Sequence, residues 1–198
     1  MKKFSIIISL IFSFYISNSQ SSFSVRISTI SAHPFAKHNL VLHQNPIDNK
    51  GYLTFEPGII FSYDKYLANK LAFRISTAVH KDRFNTLSGY SQILIKYKAI
   101  KYYKHSLYLG FGPAIHYETN KLGTLNYVNE DKLKISNNTM YKIAWLSGML
   151  EYNYYYSKKM DFALTLNHIH TRSIALSLGI RFALPDPNGK GCDCPSFR

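Results

Sequence analysis

Almost no cysteine, little acid and no long apolar run mark this 198-residue chain. Its two cysteines, Cys192 and Cys194, lie within the last seven residues. They are too close together to staple a useful loop, so a disulfide-built fold is excluded. No segment approaches the roughly 18–20 uninterrupted apolar residues that a spanning helix needs, and a helical membrane protein is disfavoured. Acids number 11 against 24 Lys and Arg, a formal charge of +13. A surplus of that size raises nucleic acid as a partner. The start of the chain argues against it.

Lys2 and Lys3 form a basic start, Ile6 to Ile16 an apolar stretch broken only by Ser9 and Ser13, and Ser17-Asn18-Ser19 a small-residue cleavage pattern. This predicts a secretory signal over 1–19 with cleavage before Gln20. Export argues against nucleic acid as a partner and leaves the phosphates of lipid head groups as the more available anions, with a merely solvated basic surface as the alternative. The mature remainder is one domain's worth of chain, with a barrel over 20–183 and a tail over 184–198.

Aromatic residues are abundant, Tyr alone numbering 16. Tyrosine suits half-buried strands and the girdles of a membrane barrel, where the ring rests in acyl chains and the hydroxyl in water. The hydrophobic pattern has period two. Phe23, Val25 and Ile27 alternate with Ser24, Arg26 and Ser28, and Leu71, Phe73, Ile75, Thr77 and Val79 share one face opposite Arg74, Ser76, Ala78 and His80. Further strands are predicted over Tyr52 to Tyr63, Ser88 to Ile100, Leu107 to Phe111, Tyr141 to Tyr155, Phe162 to Asn167 and Ile174 to Phe182. Short reversals at Asp64 to Asn69, Lys101 to Lys104 and Tyr156 to Asp161 alternate with long polar stretches at Ala32 to Lys50 and Glu118 to Thr139. Short turns on the periplasmic side and longer loops outside are the habit of outer-membrane barrels. The last outer connection, Thr171 to Ser173, is short and departs from that habit. Pro57-Gly58 and Gly112-Pro113 fall within strands and predict bulges or bends, with split strands the alternative.

The chain resembles the small eight-stranded outer-membrane barrels of the OmpA-transmembrane and OmpX type. The resemblance rests on the leader, the alternation Leu71 to Val79, the strand Leu107-Tyr108-Leu109-Gly110-Phe111-Gly112 and the closing run Ala175 to Phe182. It implies an all-β fold, an antiparallel up-and-down transmembrane β-barrel of about eight strands, monomeric and sited in the bacterial outer membrane. It further implies contact with lipid and lipopolysaccharide, and recognition by the barrel assembly machinery through Phe182 in the terminal aromatic place. The tail Leu184 to Arg198 departs from the type.

An eight-stranded barrel is just wide enough for side chains to fill, which argues against a solute pore. The polar faces send Arg26, Glu56, Arg74, Lys96, Glu151 and Arg181 to the lumen, where charges must pair or reach water. His168-Ile169-His170 places two imidazoles on the lipid face near the outer rim. One reading is a lipid A deacylase of the PagL type, whose site lies on the outside of the barrel and uses a His-x-Ser pair with a carboxylate. Here His168 matches the histidine, but His170 stands where the serine should be. A metal pair is the other active reading, and two ligands do not define a site. Rim histidines touching head groups are the plainer expectation, and His33, His38 and His43 are expected to be solvated. Cys192-Asp193-Cys194 lacks the spacing of redox or zinc motifs and is read as an interaction tail toward an envelope partner. No cofactor is expected. The expected function is non-enzymatic: structural, surface-binding or a subunit of an envelope complex.

Overall fold

The computed structural model describes residues 20–34, 46–50, 52–82, 85–119, 134–136, 139–170 and 173–184. The leader, the Cys192/Cys194 tail, His38 and His43 fall outside them. The strands are β1 (Ser21–Ala32), β2 (Leu53–Ala68), β3 (Leu71–Lys81), β4 (Leu87–Tyr102), β5 (His105–Thr119), β6 (Lys134–Ser136), β7 (Thr139–Ser157), β8 (Met160–His170) and β9 (Ser173–Ala183). All pair antiparallel. Leaving β6 aside, neighbours in sequence are neighbours in the sheet, with β5 pairing β7 and β1 pairing β9, so eight strands close into a ring. The ninth strand, β6, is a short addition to the outer end of β7. It lies inside what the sequence suggests is one uninterrupted loop.

Stagger around the ring sets the strand tilt. From Ser28, paired residues lead one way through Gly58, His80, Ser88 and Glu118 to Met140, and the other way through Ser177 and Thr165 to Glu151. The two routes meet β7 eleven residues apart. At about 3.3 Å rise per residue and about 4.8 Å between strands, that offset over eight strands tilts them by about 43°. An 11-residue strand such as β8 then rises about 26 Å, close to the apolar band of a membrane barrel. The 19 residues of β7 overshoot that band by about 20 Å at the outer end.

Burial is inverted relative to a soluble protein. Arg26, Arg74, Lys96, Glu151, Asn153 and Thr165 are among the most buried side chains, while Ile27, Phe55, Ile59, Ile75, Ile95, Phe111, Leu164 and Leu178 face outward. So extensive an apolar exterior has no place in water. In lipid the same surface is solvated, and ring closure leaves the wall without an unpaired edge there.

Reversals are tighter than the sequence suggests. β2 and β3, β4 and β5, and β7 and β8 are joined by the two-residue turns 69–70, 103–104 and 158–159. Asp64 and Asp161 therefore belong to strands and point inward, not to turns. Both proline sites are bulges in continuous strands. Ser28 opposes Gly58 and Ile30 opposes Phe55, which puts Glu56 and Pro57 across from Thr29. Gly112 opposes Ser147 and Ala114 opposes Ala144, which puts Trp145 and Leu146 across from Pro113. Consecutive strand residues normally point to opposite faces. This bulge instead turns both outward, 82% and 74% exposed.

Candidate functional site

The lumen holds the densest chemistry. Arg26 on β1, Asp64 on β2, Arg74 on β3, Lys96 on β4 and Glu151 on β7 all project inward, and the barrel brings the five together. Glu151 is the hub. Its Oε2 accepts from Arg26 Nη1 at 2.8 Å and from Arg74 Nη1, and its Oε1 accepts from Arg74 Nη2 at 3.1 Å and Lys96 Nζ at 2.5 Å. Asn153 Nδ2 adds a bond to Oε1 at 3.0 Å. Asp64 takes Arg74 side-on, Nε to Oδ1 at 2.5 Å and Nη2 to Oδ2 at 2.7 Å, and also accepts from Lys96 Nζ at 3.0 Å. Arg26 completes its fork on Ser62 Oγ and, at 2.9 Å, on Thr165 Oγ1.

Three cations thus share two carboxylates. Part of the surplus falls on an aromatic face, for Lys96 Nζ lies 4.2 Å from the centre of the Tyr108 ring. Such a contact gains strength when desolvated. Nearer the end with the two-residue turns, Arg181 pairs with Asp161 and donates to Tyr66 Oη at 2.8 Å.

Glu56 stands apart from this cluster. It lies at the outer end of the lumen, where its Oε1 meets His33 Nε2 at 2.9 Å and accepts from Thr54 Oγ1 at 3.1 Å. His33 is therefore buried at 7% exposure rather than solvated. The strand continues inward-facing geometry one residue past Ala32, and His33 N donates to Tyr52 O at 2.7 Å. The six charges named from the sequence fall into three groups: Arg26, Arg74, Lys96 and Glu151 together, Arg181 with Asp161, and Glu56 with His33. Sequence reasoning missed Asp64 and Asp161, although both keep the inward parity of their strands.

His168 sits on the outer face of β8, and its Nδ1 donates to the Ser173 carbonyl at 3.2 Å. The side chain of His170 is outside the described residues. Among those described, no group of three or more His, Cys, Asp or Glu side chains could hold a metal ion. Phe182 projects outward near the C-terminal end of β9, with its backbone opposite Phe23 and Met160.

No protein-family model and no curated protein matches the chain. Solved structures do. Neisserial surface protein A aligns with a TM-score of 0.54 at 14% identity, over 85% of this chain and 98% of that one. Ail, the attachment invasion locus protein of Yersinia pestis, aligns at 0.51 and 11% identity, over 84% and 99%. The N-terminal β-barrel domain of Pseudomonas aeruginosa OprF aligns at 0.50 and 12%, over 84% and 99%. Likeness at these identities is likeness of fold, and the fold of this chain is that of the small eight-stranded outer-membrane β-barrels.

Proposed function

We propose that this chain is a non-enzymatic barrel of the bacterial outer membrane whose work is done at its two rims and not through its lumen. One observation carries the reading: the cluster around Glu151 draws side chains from five strands across the interior. An ion crossing it would have to displace charges already paired in a low dielectric, a costly step. The surfaces left for function are the outer stretches 32–50 and 118–139, which suit surface binding, and the periplasmic tail 184–198, which suits an envelope partner. Lipid and lipopolysaccharide surround the wall, and Phe182 serves the assembly machinery.

Planar-bilayer recording on the reconstituted full chain tests the sealed lumen. No steady open level is expected, and a reproducible conductance that survives washing would overturn it. The hydrolase alternative is tested in parallel by incubating the chain with lipopolysaccharide. No release of acyl chain is expected from either the natural chain or a His168→Ala variant. Release that the variant loses would replace the non-enzymatic reading with a lipid hydrolase.

A further inference from the structure

Among the described residues, the exposed charges of the periplasmic rim are of one sign. Lys70 in the β2–β3 turn, Lys101 and Lys104 at the β4–β5 turn, and Lys158 and Lys159 in the β7–β8 turn are all exposed. The described carboxylates of that half, Asp64, Glu151 and Asp161, are all buried and ion-paired inside the lumen. The described acids Asp48, Glu56, Asp82 and Glu118 belong to the outer half.

Four of the five lysines sit on adjacent hairpins, because β5 pairs with β7. His105 opposes Tyr154, and Tyr155 N donates to Lys104 O at 2.8 Å. Between the hairpins lies a shallow hollow lined by Lys101, Tyr103, Lys104, His105, Tyr155 and Asp161. The Asp161 carboxylate is engaged by Arg181. Tyr103 holds a left-handed backbone, φ 49°, a conformation that tight turns normally give to Gly or Asn. Tyr102, Tyr103 and Tyr156 on the same hairpins are 77%, 83% and 62% exposed.

We infer that this lysine and tyrosine rim binds the head groups of anionic phospholipids in the periplasmic leaflet, with the β4–β5 and β7–β8 hairpins as its principal seat. The inference rests on the membrane reading above and adds a ligand to it. Clustered lysines beside a bilayer attract anionic head groups, while exposed tyrosine rings settle at head-group depth. A dissolved polyanion would use the lysines and leave the three rings in water.

The test uses the full chain in neutral phosphatidylcholine vesicles containing spin-labelled phosphatidylglycerol or spin-labelled phosphatidylcholine. Electron paramagnetic resonance gives the relative association of each lipid with the barrel. The anionic lipid is expected to be preferred about threefold, a preference that falls as salt screens it. Lys158→Gln/Lys159→Gln should remove at least half of that preference. Lys50→Gln/Lys81→Gln, which removes the same charge from the outer end, should leave it intact. Equal losses in the two variants would reduce the effect to net charge and overturn the inference, as would displacement of the labelled lipid by inorganic phosphate alone. A barrel that inserts but does not discriminate sinks this inference only. A chain that never enters the bilayer sinks the membrane reading as well.

Discussion

Glu151→Gln is expected to cost the barrel about 3–5 kcal/mol, because it strips the charge from the group that holds Arg26, Arg74 and Lys96 together. The shape of the side chain is kept, so packing changes little. Three buried cations would then face Asp64 alone. Urea unfolding in lipid vesicles, followed by the fluorescence of the single tryptophan, Trp145, measures the loss. A decrease below about 1 kcal/mol would mean that the carboxylate's charge carries little of the stability. Lys96→Met/Glu151→Gln provides the internal check. It restores the one-charge surplus of the natural cluster and should recover part of the loss, whereas a simple packing defect would grow with the second change.

Gly179→Ala is the other large effect, and its cause is backbone contact rather than charge. Gly179 faces Arg26 across the β1–β9 seam. A Cβ there would lie 2.1 Å from Val25 O and 2.5 Å from both Cα and Cγ of Arg26. Backbone atoms at those distances cannot yield without opening the seam, and the expected penalty is at the upper end of about 1–3 kcal/mol. Gly148→Ala is the matched control. Its added methyl would come no nearer than 3.9 Å to another atom, at His168 Cβ, and should change stability by less than about 0.5 kcal/mol. Similar urea midpoints for the two variants would refute the close-approach account.

The wall of the barrel is legible in the sequence because two solvents write on it at once. Lipid demands apolar residues outside, the narrow lumen demands polar or small ones inside, and strands such as Leu71 to Val79 record both demands in strict alternation. The hidden residues lie where one demand lapses. Lys65 takes the outward position next to Asp64, so the apolar alternation breaks there and the strand reads as a turn. Asp161 is hidden the same way, one residue into a strand that opens after a two-residue turn. His33 shows the converse at the outer end, where pairing continues past the last apolar residue and Glu56 holds the ring inside. The grouping of lumen charges is beyond reach for another reason. Parity tells which way a side chain points, but its height in the barrel depends on the stagger between strands, which no single strand encodes.

The two ends of the described chain touch: Leu184 N donates to Ser21 O at 2.9 Å, and β1 and β9 are partners along nearly their whole length. The first strand must therefore wait for the last. A product that stops before β9 is an open ribbon with two raw margins, and a bilayer offers those margins no water. Arrival of β9 and closure of the sheet are one event, which separates a chain carrying all eight wall strands from one that stops short of the last.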